Sequence, residues 1–238
     1  MRLRVVAKAG YRYSAPASAS CIEARLLAAS TPRQRVQSTS LECDPSGWKL
    51  PYVDYWGTPT VTVHLREDHA TLALVGTSVL DLESGELPHE HLTWDDLASD
   101  GLIDTYAEFL DADAHAQPDA ASPGDQARQL ASRPGTDADA LLTALRSLGI
   151  PARFVRGVRL DLDALAVGDS VDAEPVVWVE FWNAAWHGLD PADGQPTGPG
   201  HVALAFGRDR ADLAALRGIY SGQGRSECYQ EITVRRLG

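Results

Sequence analysis

Lysine is almost absent from this chain. Only Lys8 and Lys49 occur among 21 basic residues, against 33 acidic ones, and the formal charge is −12. With no basic run, such a chain is repelled by phosphate backbones, which excludes a nucleic-acid-binding role. It also lacks the basic amphipathic face that an anionic membrane surface would attract. Cysteine is scarce: Cys21, Cys43 and Cys228 are odd in number and widely spaced. That pattern is neither a disulfide framework nor a set of metal ligands, and it suits a reducing cytoplasm. No stretch approaches the roughly 18 uninterrupted apolar residues of a membrane span. The N-terminal residues contain no apolar run of signal-peptide length. No glycine-rich phosphate loop stands at a strand–helix junction, so no organic cofactor is expected, and no metal. What remains is an ordinary globular composition, 44% hydrophobic and 23% charged, over 238 residues. That length suits one large domain or two small ones.

The first 82 residues read as β structure. Short alternating or β-branched runs at 3–5, 22–27, 60–65 and 71–75 are separated by turn-forming clusters at Thr31-Pro32, Asp44-Pro45-Ser46-Gly47 and Glu67-Asp68. The aromatics of residues 52–57 suit a sheet face, and the spacing predicts an antiparallel sandwich or small barrel. Residues 83–134 are a helical segment and linker. Thr93 offers a helix cap followed by acids, a second short helix is expected over 102–110, and 111–124 has linker composition. The clearest helix follows. Ala138, Leu141, Leu142, Leu145 and Leu148 make one stripe of a 3.6-residue period, Gly149 suits a left-handed C-cap, and Pro151 blocks continuation. Strands are expected at 153–160, 176–182, 185–189, 202–206 and 232–235.

Three stretches, taken in order, carry a family signature: residues 141–157 (LLTALRSLGIPARFVRG), 178–194 (WVEFWNAAWHGLDPADG) and 200–222 (GHVALAFGRDRADLAALRGIYSG). Together they resemble the core of the bacterial transglutaminase-like (papain-like thiol enzyme) superfamily. Residues 9–75 are similar to the β domain that often precedes that core. The resemblance implies an α+β protein: a β-rich N-terminal domain at 1–82, the helical segment and linker at 83–134, and a reduced core of a helix on an antiparallel sheet at 135–222. A C-terminal strand at 223–238 would return to the β domain. It also implies a triad of Cys at a helix N-terminus, His on a strand and Asp on the next strand.

Here the pattern departs from the family. The helical segment before the core helix is shorter. Counting back from Gly149 places Pro134 at the Cys position, and a three-residue deletion places Asp137 there instead; neither supplies a thiol. Val176 of Val176-Val177-Trp178-Val179-Glu180 stands at the His position. Asp190 keeps the Asp position, now without the histidine it would orient. His187 lies an odd number of residues from Asp190 and points to the other face. His201 is expected in a structural role at a strand start. His64 and His69 are expected to be solvated in the β domain, and His89, His91 and His115 to lie in loops.

The remaining candidates are carboxylates. Asp190, with Asp137 and Asp139, would converge on the old cleft, where paired carboxylates can split their pKa values for acid–base work. Trp178, Arg153 and Thr136 are candidate ligand contacts, and Trp182 and Trp186 could extend a stacking wall. The expected function is a binding or scaffold protein acting through the vestigial cleft on a small molecule or protein ligand. The alternative is an enzyme repurposed for cyclisation, isomerisation or proton transfer on a small molecule in a biosynthetic pathway. A homo-oligomer built on exposed β edges is a further expectation.

Overall fold

A computed structural model describes residues 1–83, 92–111, 116–120 and 122–238. His89, His91 and His115 lie outside the described residues. The chain begins with six strands: β1 (Arg2–Ala17), β2 (Ala19–Ala24), β3 (Gln34–Asp44), β4 (Trp48–Val53), β5 (Pro59–Leu65) and β6 (His69–Leu82). Helices α1 (Trp94–Leu97), α2 (Asp100–Tyr106), α3 (Pro123–Ala131) and α4 (Ala138–Ser147) follow. The remainder is β7 (Ala152–Arg159), β8 (Ser170–Asp172), β9 (Pro175–Trp182), β10 (Trp186–Asp190), β11 (Gln195–Pro196), β12 (His201–Gly207), β13 (Leu216–Ser221) and β14 (Ser226–Arg236). Strand accounts for 49% of the structure and helix for 16%, so the α+β class is more sheet-dominated than the sequence implies.

Two antiparallel sheets form the N-terminal sandwich, in orders β3-β6-β1-β14-β8 and β13-β2-β5-β4. Period-two alternation builds it: Leu3, Val5, Ala7 and Ala9 of β1 point inward with Leu72 and Leu74 of β6. Ile22, Val61 and Val63 of the second sheet meet them in one cluster. Strands β8, β13 and β14 come from the second half of the chain, so the sandwich is built from distant parts of the sequence.

The third sheet, in order β11-β10-β9-β7-β12, has α4 on one face. Asp137 caps this helix by accepting the Ala140 N–H at 2.8 Å. Its C-terminus is a Schellman motif: Gly149 takes φ +74°, its N–H reaches Arg146 O, and the Ile150 N–H reaches Leu145 O. Leu141 and Leu145 are fully buried, each contributing roughly 1.5–3 kcal/mol by apolar burial.

Side chains from the sandwich satisfy the free edge of β12. Gln34, fully buried, accepts the Ala203 N–H and donates to Ala203 O and Ala29 O. Thr58 Oγ1 likewise accepts from Phe206 N at 2.8 Å and donates to Phe206 O. An edge that would otherwise leave buried polar groups open is thereby paired. This docking brings the 54–58 turn and the 30–33 segment against the third sheet.

Candidate functional site

Register decides which side chains share the open face of the third sheet. Arg153 lies opposite Glu180, Val155 opposite Trp178, and Gly188 opposite Glu180 from the other side. Arg153, Val155, Trp178, Glu180, Trp182, Trp186 and Asp190 therefore share one face. Phe154, Val179, Phe181 and Leu189 share the other, against α4. His187 lies on that second face, its ring 5.6 Å from Phe181. The β9–β10 hairpin turns tightly through Ala184, at φ +62°, with the Asn183 N–H on Ala185 O.

Asp190 is 5% exposed and fully engaged. Its Oδ1 accepts the Ala192 N–H at 2.9 Å, and its Oδ2 meets His201 Nε2 at 3.0 Å and Arg159 Nη1 at 3.1 Å. This corrects the expectation that Asp190 lacks a histidine. Strands β10 and β12 are separated by β9 and β7 in the sheet, yet their side chains meet across its open face. His201 Nδ1 accepts the Gly198 N–H at 3.1 Å, which leaves Nε2 to carry the ring proton toward Asp190. Both ring nitrogens are thus committed. Burial alone would push the Asp190 carboxyl up, but the hydrogen bonds from His201 and Ala192 and the Arg159 charge outweigh it. The carboxyl is held below the ordinary aspartate value.

Beside this pair opens a cleft of about 470 Å³ between the sandwich and the third sheet. Trp178, Trp182, Trp186, Phe206 and Trp56 supply aromatic wall. Trp56 is aimed by local chemistry: the Asp54 carboxylate collects the N–H groups of Trp56 and Thr58, and Gly57 takes φ +88°. Trp178 lies over Gly157, where an added Cβ would come 2.5 Å from the indole, and its ring meets His201 edge-on at 5.3 Å. Arg153 lies between the Trp186 and Phe206 rings, 4.3 and 4.2 Å from their centroids, with Nη2 2.7 Å from Glu180 Oε2. Such a sandwiched, paired guanidinium is held in place by stacking as much as by charge. Val176, at the expected His position, packs on the apolar cluster of Ala29, Val155, Trp178, Ala203 and Phe206.

The other expected site residues lie elsewhere. Asp137 is spent as the α4 cap, and Pro134 is in the turn before it. Asp139 is exposed and paired with Arg210, Nη2 to Oδ2 at 2.5 Å. Thr136 donates to Leu130 O. None of the four lines the cleft, and the expected convergence of Asp137 and Asp139 with Asp190 gives way to local capping and a surface ion pair. Replacing Asp137 with alanine is expected to cost about 1 kcal/mol, the ordinary worth of an N-cap. Urea denaturation checks this, with no effect expected on cleft binding.

Missed from the sequence were His201 as the Asp190 partner and the contributions of Arg33 and Trp56. Glu180, two residues from Trp178 on one strand, was findable from the period alone. The cysteines stay outside the site: Cys21 and Cys43 are in the sandwich and Cys228 is exposed on β14. Burial pushes the Cys43 and Cys228 thiols up, the opposite of what a nucleophile needs. Among the described residues no cluster of His, Cys, Asp or Glu could hold a metal ion.

Residues 3–81 match the bacterial transglutaminase-like N-terminal region, and residues 104–191 match the transglutaminase-like superfamily. A protein of Mycobacterium leprae described as uncharacterised is 32% identical over 276 aligned positions, covering 99% of each chain. This chain belongs to the transglutaminase-like superfamily. The aligned span exceeds its 238 residues, so the relative carries segments that have no counterpart here. The transglutaminase-like fold also superposes on a candidate cysteine protease from Cytophaga hutchinsonii. That match has a TM-score of 0.61 at 20% identity over 98% of this chain and 90% of that one. No described helix is long and apolar enough to cross a membrane.

Proposed function

We propose that this transglutaminase-like chain acts without thiol chemistry, as a protein that binds a ligand in the cleft beside Asp190. The observation that carries the reading is the composition of that cleft: tryptophan walls, an internally neutralised Arg153–Glu180 pair, and no cysteine. Around it, Val176 is packed in an apolar cluster where the family has a base. The helix N-terminus that would carry the thiolate is capped by Asp137. The Asp190–His201 pair then holds strands β10 and β12 together rather than activating a nucleophile. Its bonding pattern supports this, since neither imidazole nitrogen is left to take a proton from a substrate.

The same pair is what favours the second reading, a repurposed acid–base enzyme, because His201 borders the cleft. Asp190→Asn separates the two. In a binding protein the variant retains ligand affinity below its melting temperature; in an enzyme it loses turnover. Release of ammonia from glutamine peptides by the native protein, abolished by iodoacetamide, would refute the proposed function outright.

A further inference from the structure

Arg33 is the cleft residue whose chemistry is unspent. Three other guanidiniums each meet an acid: Arg25 meets Asp54, Arg153 meets Glu180, and Arg159 meets Asp190. Arg33, carried on the sandwich, donates from Nη1 to Thr197 O at 2.8 Å, while its Nε is enclosed with no partner. Among the described residues its side chain meets no carboxylate. Arg146, Arg156 and Arg236 also lack one, but each donates to backbone carbonyls and none of them lines the cleft.

The cleft wall therefore carries Arg33 and Arg153 against Glu180, an excess of one positive charge, in a chain of formal charge −12. The rest of the wall is largely indole and phenyl surface. Aromatic faces bind planar groups by offset or edge-on stacking, and a guanidinium that has no acid of its own suits a carboxylate. A dianion would be mismatched to one cation in an acidic protein and costly to desolvate. The volume, about 470 Å³, suits a small organic molecule.

Resting on the binding reading above, we propose that the cleft takes a small aromatic carboxylate. Its ring lies against the tryptophan wall and its carboxylate lies on Arg33. A free metabolite and the C-terminal aromatic residue of a peptide both present this chemistry.

Calorimetric titration with indole-3-acetate and with indole-3-acetamide tests the assignment. The acid is expected to bind at least about tenfold tighter than the amide, and less tightly as salt is added. Arg33→Gln should bring the acid down to the level of the amide. Gly-Gly-Phe with a free carboxylate, compared with its C-terminal amide, tells the two sources apart: a larger acid-to-amide ratio for the peptide assigns the site to chain ends, a smaller one to free molecules. Equal affinity of acid and amide for the wild-type protein overturns the proposal while leaving a binding cleft. Absence of binding of all four probes at millimolar concentration overturns it as well. The wild-type comparison decides even if Arg33→Gln does not fold. Thiol-dependent turnover is a separate result that strikes the binding reading itself.

Discussion

Trp178→Ala is expected to destabilise the protein by about 4 kcal/mol, the middle of the range for removing a buried large aromatic. For a domain of this size that corresponds to a fall in melting temperature of roughly 8–16 °C. The indole is 2% exposed and sits at the junction of the Asp190–His201 pair, the apolar cluster around Val155 and the floor of the cleft. Gly157 is matched to it: a side chain there would strike both the indole and Val202 O. The cavity left by alanine would open into the cleft, so ligand binding should fall with stability. Urea denaturation with an unchanged slope, alongside the titrations above, checks both effects. A loss below 1 kcal/mol would mean that Trp178 is not the keystone described.

Asp190→Ala is expected to cost about 3 kcal/mol, because it strips a buried carboxylate from His201, the Ala192 N–H and Arg159. Most of this should come from the two enclosed partners. Arg159 is 44% exposed, and its pairing is screened by solvent. The pH dependence has a defined sign. The Asp190 carboxyl is lowered in the fold, so its contribution is fully present above the unfolded-state value, near pH 4, and is lost as pH falls through the lower native value. The stability gap between wild type and Asp190→Ala should be flat in mildly acidic solution and should narrow below about pH 4. A gap that instead widened with acid would contradict the assignment.

Helix α4 and four strands of the third sheet, all but the two-residue β11, were legible because periodicity and punctuation agreed: for the helix a leucine stripe, a cap, Gly149 and Pro151. Strands β3 and β4 were not. Most of β3 faces solvent and reads as polar, and β4 is an edge strand that carries Pro51, so neither shows clean alternation. The site was legible in part. The tryptophans, Arg153 and Asp190 could be placed by alternation, which operates within a strand and its neighbours. The meeting of Asp190 with His201 spans the sheet face. The Arg33 and Trp56 walls depend on how the sandwich docks through Gln34 and Thr58. Neither is encoded in local spacing. Asp137 and Asp139 lie away from the cleft for a related reason: proximity to a motif in sequence does not set direction, and a cap and a surface arginine engage them.

Whether any of the three thiols turns over an acyl group decides between thiol-free binding and a thiol enzyme. The measurement is the intact mass of the native protein after incubation with an activated acyl donor, such as a thioester of a glutamine-like acid, followed by acid quench. An unmodified mass is expected, with no change in that outcome when the cysteines are blocked beforehand. A single acyl adduct that forms on Cys21, Cys43 or Cys228 and turns over in the presence of an amine would contradict it.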